Sequence, residues 1–333
     1  MKIVVDAFGG DNAPNEIIKG AAAAVKELGV GVILTGNSDI INKYFDDNNI
    51  SRKGIEIVHT DDIISMHDEP TSILKEHRNS SMAKAFDILC EGSADAFVSA
   101  GSTGAIVVGG TLLVKRIKGV KRPAIATVIP SPRGSYMLMD SGANSDCRPE
   151  MLCQFGVMSS VYMERVMGIQ NPKVALLNIG TEDTKGDQLR LESFELLKNA
   201  PINFVGNVEA REVPNGVCDA VVADGFTGNV VLKLIEGTSK TLFKMIKEVL
   251  YKGFLNKLAA LVLKKDLYSL KEMMNSSNVG GAILLGVRKP VIKAHGNSDA
   301  KAIKNAIKQA VMFASKDVIS AISDGLSQTD GDK

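Results

Sequence analysis

The residues of this sequence that could carry out chemistry stand where short apolar runs give way to glycine and polar side chains. In the clearest case an apolar run begins at Ala220, a polar turn follows, and helical spacing continues as far as Lys233. The turn contains Asp224, Gly225, Thr227, Gly228 and Asn229. Small residues let backbone N–H groups approach a ligand, and a helix N-terminus carries a partial positive charge, so the turn suits an anion such as phosphate. An ordinary helix start, with glycine and a polar cap, would explain the same residues.

Similar glycine-containing or polar loops follow several other apolar runs. The residues in them that could contact a phosphate or a substrate are Asp6, Gly10, Asp11, Gly101, Thr103, Gly104, Asn144 and Asn178. Ligands of open α/β sheets bind beyond the carboxyl ends of the strands. We therefore expect these loops to meet the 224–229 turn in one crevice.

Three further side chains are candidates for neutralising a bound anion. Lys185 precedes Gly186 and a predicted helix, whereas Lys293 and His295 follow an apolar run near the end of the chain. A surface lysine and a hydrogen-bonded structural histidine are the alternatives, and position in the sequence does not decide between them.

Several enzyme signatures do not occur in the sequence. It contains no G-x-G-x-x-G after the first apolar run, no G-x-x-x-x-G-K-[ST], no G-x-S-x-G and no H-E-x-x-H. The four cysteines form no C-x-x-C pair, and with the four histidines they make no zinc pattern. The sequence thus offers no support for a nucleotide cofactor, a bound metal or covalent catalysis, and we expect none.

Composition indicates a globular protein without a nucleic-acid partner. Of the 333 residues, 45% are hydrophobic and 23% charged, and the formal net charge of +1 creates no general attraction for nucleic acid. The short, early-charged N-terminus does not match a signal peptide. The uncharged run from Ala96 to Val114 is interrupted by glycines, so we interpret it as a strand, a loop and a helix rather than a membrane span.

Strands alternate with helices along most of the chain, which predicts an α/β fold with a mostly parallel sheet. Two apolar runs, Pro123 to Ile129 and Tyr136 to Asp140, are joined by a short link with proline and glycine, and this predicts an antiparallel pair. Residues from Gly228 to about Met274 are expected to be helical with breaks near Gly253 and at 264–266. One long helix is expected over 298–322.

Seven motifs in a fixed order resemble one known family over residues 2–322. They are Val-Asp-Ala-Phe-Gly-Gly-Asp (5–11), Ser-Ala-Gly-Ser-Thr-Gly-Ala (99–105), Asp-Ser-Gly-Ala-Asn (140–144), Leu-Leu-Asn-Ile-Gly-Thr-Glu (176–182), Phe-Val-Gly-Asn-Val-Glu-Ala-Arg (204–211), Ala-Asp-Gly-Phe-Thr-Gly-Asn (223–229) and Val-Ile-Lys-Ala-His-Gly (291–296). Together they resemble the bacterial PlsX family of acyl-carrier-protein:phosphate acyltransferases. Phe8 stands where the family commonly has Met, and Thr184 where many members have a basic residue.

The resemblance implies a three-layer α/β/α, Rossmann-like fold, similar to phosphotransacetylases and to isocitrate and isopropylmalate dehydrogenases. It implies transfer of a long-chain acyl group from acyl carrier protein to inorganic phosphate, giving acyl phosphate for phospholipid synthesis without a cofactor. On this basis Lys185 would supply charge, the 225–229 turn would bind phosphate, and Asp224 and Asn229 would position it. His295 and Lys293 would assist.

The resemblance also implies partners for two surfaces. The basic residues Lys115, Arg116, Lys118, Lys121 and Arg122 could dock an acidic carrier protein, although a basic helix C-terminus is as good an explanation. The apolar residues Phe254, Leu255, Leu258, Leu261 and Val262, with lysines around them, could lie on an anionic membrane or in a subunit interface. Family members are cytoplasmic homodimers associated with the inner face of the cytoplasmic membrane, and the downstream glycerol-3-phosphate acyltransferase is a further candidate partner.

We expect residues 1–333 to form a single catalytic unit, with 230–275 as a helical extension for dimerisation or membrane association. Two other functions stay open. A phosphotransacetylase would use short acyl-CoA, although its soluble product would need no membrane-binding segment. A non-catalytic scaffold could recruit enzymes of lipid synthesis to the membrane.

Overall fold

A single mixed sheet of eleven strands runs through the computed structural model, which describes residues 1–273 and 280–330. The strands are β1 (Lys2–Asp6), β2 (Gly31–Gly36), β3 (Ile55–His59), β4 (Ala96–Ser99), β5 (Ala124–Ser131), β6 (Gly134–Met139), β7 (Lys173–Asn178), β8 (Asn203–Glu209), β9 (Ala220–Val222), β10 (Ala282–Leu285) and β11 (Val291–Lys293). Their spatial order is β3-β2-β1-β4-β11-β10-β5-β6-β9-β7-β8.

Helices cover both faces of this sheet. They are α1 (Asn15–Leu28), α2 (Ser38–Asp47), α3 (Ser81–Glu91), α4 (Thr103–Gly109), α5 (Pro149–Arg165), α6 (Gln188–Lys198), α7 (Gly225–Tyr251), α8 (Phe254–Met273), α9 (Ala300–Ala314) and α10 (Val318–Asp330). The largest apolar core holds α1, α2, α5, α6, α9 and α10 against one face. On the other face α3 and α4 pack over β1, β4 and β10, while α7 packs over β6, β7 and β9. The predicted three-layer α/β/α architecture is confirmed.

The two halves of the sheet run in opposite directions. The strands β1 to β4 and β11 are parallel to one another, and so are β6 to β9. Three antiparallel pairings separate the halves, namely β11 with β10, β10 with β5, and β5 with β6. The predicted antiparallel pair β5–β6 is confirmed.

This topology corrects the expectation that all the strand-end loops meet the 224–229 turn in one crevice. Parallel strands of one direction end at the same edge of a sheet, and strands of the opposite direction end at the other. The loops after β1, β4 and β11 therefore lie at one edge, and those after β6, β7 and β9 lie at the opposite edge. The predicted loops fall into two groups.

Side-chain caps start many of the helices, as their sequences suggest. The capping residues are Asn37, Ser80, Ser102, Asp187, Asp224 and Asp299, each accepting a hydrogen bond from an N–H group of the first turn. In α1 the chain leaves the helix through Gly29, whose φ of 67° is a left-handed conformation that glycine adopts at little cost. Local sequence therefore fixes most helix boundaries.

Two predicted boundaries differ from the structure. The expected helix over 298–322 is two helices, α9 and α10, separated by a turn at 315–317. The break expected at 264–266 does not occur, because α8 continues through it, whereas the break near Gly253 is present. The irregular segment after β3 contains a 3-10 helix, Pro70–Leu74, that packs on α4. The predicted extension over 230–275 ends in two residues that lie outside the described part of the chain.

The long helix α7 crosses from the sheet into a hairpin with α8. Phe243, Ile246 and Leu250 of α7 are half-buried, as are Ala260 and Leu267 of α8. The two helices pack against each other, and these half-buried positions recur at helical spacing. Across the described residues, no helix has both the length and the apolar character needed to cross a membrane.

Candidate active site at the carboxyl ends of two half-sheets

The loop 140–144 is built around the buried carboxylate of Asp140. Its oxygens accept backbone N–H bonds from Ile125 at 3.0 Å, Ala143 at 2.9 Å and Asn144 at 2.7 Å. Burial raises the pKa of this carboxyl, and the N–H donors partly offset that rise. A carboxylate at the centre of so many donors holds the loop in one conformation.

The first turn of α7 packs directly on this loop, and two glycines allow the approach. A Cβ at Gly225 would lie 2.7 Å from the main-chain oxygen of Asn144, and one at Gly228 would overlap the carbonyl oxygen of Asp140. Asn229 faces the same loop, since a Cβ at Gly142 would lie 3.6 Å from its Cγ. The predicted residues Asn144, Gly228 and Asn229 therefore share one surface.

The turn that was predicted to cradle an anion is the first turn of the helix, and the N–H groups of Gly225, Thr227 and Gly228 are engaged within the protein. The Gly225 N–H donates to the Asn144 oxygen at 2.7 Å, and the Thr227 N–H donates to Asp224 Oδ1 at 2.9 Å. The Gly228 N–H makes the helical bond to the Asp224 carbonyl at 2.9 Å. A phosphate at this turn would have to bind through side chains or replace these bonds.

Asp224 caps α7 and is paired with Arg190, a residue that the sequence analysis missed. The Arg190 guanidinium contacts the Asp224 carboxylate and donates to Thr227 Oγ1 at 3.1 Å and Asp187 Oδ2 at 2.9 Å. Burial raises the pKa of Asp224, but the Thr227 donors and the Arg190 charge outweigh it and leave the pKa below its ordinary value. Asp224 is thus an ion-paired carboxylate.

Lys185 lies in the loop between β7 and α6, at the same edge of the sheet. Its side chain is exposed. Asn178, at the end of β7, shapes this loop, because its Nδ2 donates to the Lys185 carbonyl at 2.9 Å and its Oδ1 accepts from the Ile179 N–H at 2.8 Å. Asn178 therefore positions the loop that carries Lys185.

The opposite edge of the sheet carries a second group of predicted residues. Asp6, at the end of β1, is buried and accepts hydrogen bonds from the hydroxyls of Ser81 at 2.6 Å and Ser99 at 2.7 Å. Burial raises the pKa of Asp6, and the two serines act against that rise. The Gly101 N–H donates to Ser99 Oγ at 2.9 Å, so the loop after β4 joins the same network.

Lys293 lies in this second group, at the end of β11. Burial lowers its pKa to about 8, while the nearby Asp11 acts in the opposite direction. Its Nζ donates to the carbonyl oxygens of Ala100, at 3.4 Å, and of Ala294. The Asp11 N–H donates to the Gly296 oxygen at 2.7 Å, which ties the loop after β1 to the loop after β11.

The remaining predicted residues of this group lie around Lys293 and Asp6. Gly10 has a φ of 101°, and a Cβ there would lie 2.8 Å from the Gly296 oxygen. Gly104 packs under Pro70 of the 3-10 helix, where a Cβ would lie 2.6 Å from its Cγ, and Thr103 is half-buried beside it. A side chain at Gly10 or Gly104 would therefore collide with its neighbours.

The position of His295 shows how far apart the two groups of predicted residues lie. Its Nε2 lies 4.0 Å from Glu236 Oε2 on α7. Glu236 is eleven residues beyond Gly225, so the helix carries the chain about 16 Å from the first group to the second. One group thus contains Asn144, Lys185, Asp224 and Asn229, and the other contains Asp6, Asp11, Lys293 and His295, with α7 between them.

A polar cavity of about 650 Å³ adjoins the first group. Its lining combines the 143–148 loop and Met151 with Arg116, Lys121 and Arg122 of the predicted docking segment. The other two predicted docking residues, Lys115 and Lys118, are exposed outside this lining.

The predicted membrane-facing side chains are exposed on α8. The exposed fractions are 76% for Phe254, 77% for Leu255, 46% for Leu258, 68% for Leu261 and 81% for Val262. On the same helix, Ala260 and Leu267 are half-buried. Within the described part of the chain, no cluster of His, Cys, Asp and Glu has the grouping that a metal site needs.

Comparison with known proteins identifies relatives of this chain. A family described as "Fatty acid synthesis protein" matches residues 1–321. A phosphate acyltransferase of Alkaliphilus oremlandii is 46% identical over 333 residues, covering 100% of this chain and 99% of that protein. One of Oceanobacillus iheyensis is 49% identical over 311 residues, covering 93% and 92%. The chain belongs to the phosphate acyltransferase family.

Solved structures of more distant proteins share the fold of this phosphate acyltransferase family member. A phosphotransacetylase from Streptococcus pyogenes superposes with a TM-score of 0.64 at 17% identity, covering 94% of each chain. A 4-hydroxythreonine-4-phosphate dehydrogenase from Klebsiella pneumoniae gives a TM-score of 0.53 at 15% identity, covering 94% of this chain and 99% of that one. Similarity at this level concerns the fold, and it agrees with the predicted relation to phosphotransacetylases and dehydrogenases.

Proposed function

We propose that the protein transfers a long-chain acyl group from acyl carrier protein to inorganic phosphate and so supplies acyl phosphate for phospholipid synthesis. The observation that carries this proposal is the identity of 46% to 49% with phosphate acyltransferases over 93% or more of the chain. Homologues this similar over their whole length share a fold and a site. The carrier-protein donor and the pathway are inferred from the resemblance of the seven motifs.

The chemistry requires no nucleophile from the protein. A phosphate oxygen attacks the thioester carbonyl, a tetrahedral oxyanion forms, and the C–S bond breaks, leaving acyl phosphate and a carrier thiolate that takes up a proton. The buried cysteines are poor alternatives as nucleophiles, because burial raises the pKa of Cys147 and Cys218 to about 12 and that of Cys153 to about 11. The protein's contribution is positioning and charge stabilisation.

The exposed cation of Lys185 is our candidate for neutralising the phosphate and the developing oxyanion. It is carried on a loop that Asn178 holds, and the loop lies at the sheet edge where Asn144, Asp224 and Asn229 meet. The Gly225, Thr227 and Gly228 N–H groups are occupied, and the Asn144 Nδ2 donates to Pro123 and Asp140. The amide side chain of Asn229 is therefore the better candidate for contacting phosphate there.

The second group would serve the reaction from the other edge. Lys293 and His295 are assigned an assisting role. The Ala100 carbonyl, in the loop after β4, accepts a hydrogen bond from Lys293, and Glu236 of α7 lies near His295. The chain would thus act as one catalytic unit with two polar clusters that α7 connects.

The hairpin of α7 and α8 is assigned to membrane association and dimerisation, and the basic segment 115–122 to carrier-protein docking. Exposed apolar side chains on α8 support the first assignment. The cationic cavity lining supports the second. The protein would then be a cytoplasmic homodimer that binds the inner face of the cytoplasmic membrane.

A direct assay tests the reaction. Purified protein is incubated with palmitoyl-carrier protein with and without inorganic phosphate, and free carrier and acyl phosphate are followed. We expect release to require phosphate and the Lys185→Ala variant to lose about 10²-fold in turnover, as is typical when a group that stabilises an oxyanion is removed.

The controls separate the alternatives. Lys198→Ala, at the exposed end of α6, should retain wild-type turnover. Phosphate-dependent release by a fully active Lys185→Ala variant would keep the reaction but move the charge-stabilising role to another residue. Turnover of acetyl-CoA without turnover of the long-chain carrier would favour a phosphotransacetylase, and no turnover of either would favour a scaffold.

A further inference from the structure

We infer that the cavity at 116–122 and 143–151 binds the phosphate of the pantetheine arm that carries the acyl group. This inference rests on the proposed function, because it identifies how the acyl donor would be held at the same site. It differs from protein–protein docking, since the group recognised is a phosphate ester and not the carrier's acidic surface.

The charge of the cavity lining is strongly one-sided. Four basic side chains, Arg116, Lys121, Arg122 and Arg148, line it together with one carboxylate, that of Asp146. A concave site with such an excess of positive charge attracts and orients an anion.

Two of the four cations are already used within the protein. Arg116 donates to the carbonyl oxygens of Val120 and Lys121 at 3.3 and 2.5 Å, which folds the turn that forms one cavity wall. Lys121 lies 3.8 Å from the Glu150 carboxylate.

The other two cations are available to a ligand. Within the part of the chain that the structure describes, the Arg122 and Arg148 guanidinium groups have no ion pair or hydrogen bond with another side chain or with the main chain. Guanidinium matches phosphate oxygens by two parallel hydrogen bonds, so a pair of unengaged arginines in one cavity is suited to a phosphate ester.

The cavity is also connected to the candidate active site. Ala143 and Asn144 line it, and they belong to the loop on which α7 packs. The Asn144 Nδ2 donates to the Pro123 oxygen and to Asp140 Oδ2, both at 2.8 Å, so the loop is fixed relative to both walls. The cavity that contains the arginines and the surface that carries Asn229 therefore share this loop.

The size of the cavity fits an extended arm. A volume of about 650 Å³ is within the range of sites that hold small organic ligands. Inorganic phosphate alone would occupy a small part of it. The geometry thus favours a longer, phosphate-bearing ligand over the free ion.

Calorimetric titration with phosphopantetheine and with pantetheine tests the inference without requiring turnover. We expect the wild-type protein to bind phosphopantetheine at least about tenfold more tightly, since a charge-assisted hydrogen bond contributes roughly that factor. Arg148→Gln and, separately, Arg122→Gln should abolish the preference. Arg165→Gln should keep it, because Arg165 is an exposed arginine at the opposite end of α5, about 25 Å away.

Three outcomes would overturn the inference. Equal wild-type affinities for the two compounds would show that phosphate is not recognised, and a preference retained by both folded variants would place recognition elsewhere. Full displacement of phosphopantetheine by inorganic phosphate at assay concentrations would make this the nucleophile's site. Phosphate-dependent turnover of the wild-type protein is measured in parallel, so failure of the proposed function and failure of this inference are distinguishable.

Discussion

Lys293 illustrates how burial sets the chemistry of a single side chain. It is 9% exposed at the end of a central strand, and burial lowers its pKa to about 8 from 10.5. Its Nζ donates to carbonyl oxygens, and the nearby Asp11 carboxylate offsets only part of the free-energy cost of the lost hydration. The charged form is therefore destabilised in the folded state.

The consequence is a pH-dependent stability. Between about pH 8 and 10.5 the unfolded chain retains a proton that folded Lys293 has released, so the contribution of Lys293 to the free energy of unfolding rises with pH there. We expect Lys293→Met to be more stable than the wild type at pH 7, by about 2 kcal/mol after allowance for the two lost hydrogen bonds. The difference in the free energy of unfolding between the variant and the wild type should shrink as the pH rises to 10.5.

Urea unfolding at pH 7 and at pH 10 measures this prediction. Lys308→Met, at an exposed position of α9, should show no such pH dependence. A Lys293→Met protein that is less stable than the wild type by the same amount at both pH values would show that the hydrogen bonds of Lys293, and not its charge, dominate.

Arg190 is a residue whose role depends on tertiary contacts. Its position in the first turn of α6, three residues after the capping Asp187, is unremarkable in the sequence. In the folded chain it reaches Asp224 and Thr227, 34 and 37 residues away, and joins the starts of α6 and α7. An ion pair in this position keeps the Asp224 carboxylate charged and fixed beside the candidate phosphate site.

The hairpin of α7 and α8 shows what a helical pattern can and cannot specify. The sequence predicts an amphipathic segment and identifies its apolar residues, and these are present in α8. In the structure Ala260 and Leu267 are half-buried, whereas Leu258 and Val262 are exposed. The contact with α7 covers one face of α8 and leaves the other exposed.

The exposed face leads to a prediction for membrane binding. We expect Leu258→Glu/Val262→Glu to reduce binding to anionic vesicles by about a hundredfold, since each buried aliphatic side chain contributes at least about 1.5 kcal/mol. Vesicle sedimentation measures it, with light scattering to record the oligomeric state. The matched control is Ile40→Glu/Met312→Glu, which changes two exposed apolar side chains on α2 and α9.

Two other results have clear meanings. Dissociation of an oligomer in the α8 variant would identify this face as a subunit interface. Undiminished vesicle binding by a variant of unchanged oligomeric state would contradict the proposed membrane role of α8.

At the scale of the whole molecule, charge is balanced overall but not locally. The formal net charge is +1, yet the surface at 115–122 and Arg148 concentrates cations. The positive electrostatic potential of such a cluster speeds and orients the association of an acidic partner. Added salt screens the charges and weakens this attraction.

The corresponding prediction concerns the carrier protein. We expect Arg116→Glu/Lys121→Glu to raise KM for acyl-carrier protein by about tenfold at low ionic strength, through repulsion of an acidic partner. Steady-state kinetics at two salt concentrations measures it, and the difference from the wild type should narrow at high salt because of screening. An unchanged KM at low salt would remove the docking assignment.

The sequence by itself determined the α/β class, most of the strands and helices, the helix caps and the family. These features depend on local hydrophobic spacing, on side chains that cap their own helices and on motifs that are contiguous in the chain. The antiparallel pair β5–β6 was predictable for the same reason, because a short link joins its strands.

Only the tertiary structure decided how the halves of the sheet are arranged and which side chains meet. Strand direction across the centre depends on β10 and β11, which are more than 140 residues beyond β6 in the chain and insert between β4 and β5. The same is true of Arg190 with Asp224 and of the cavity that Arg122 shares with Arg148. Pairings between distant segments depend on how the whole chain packs, and local sequence patterns do not encode them.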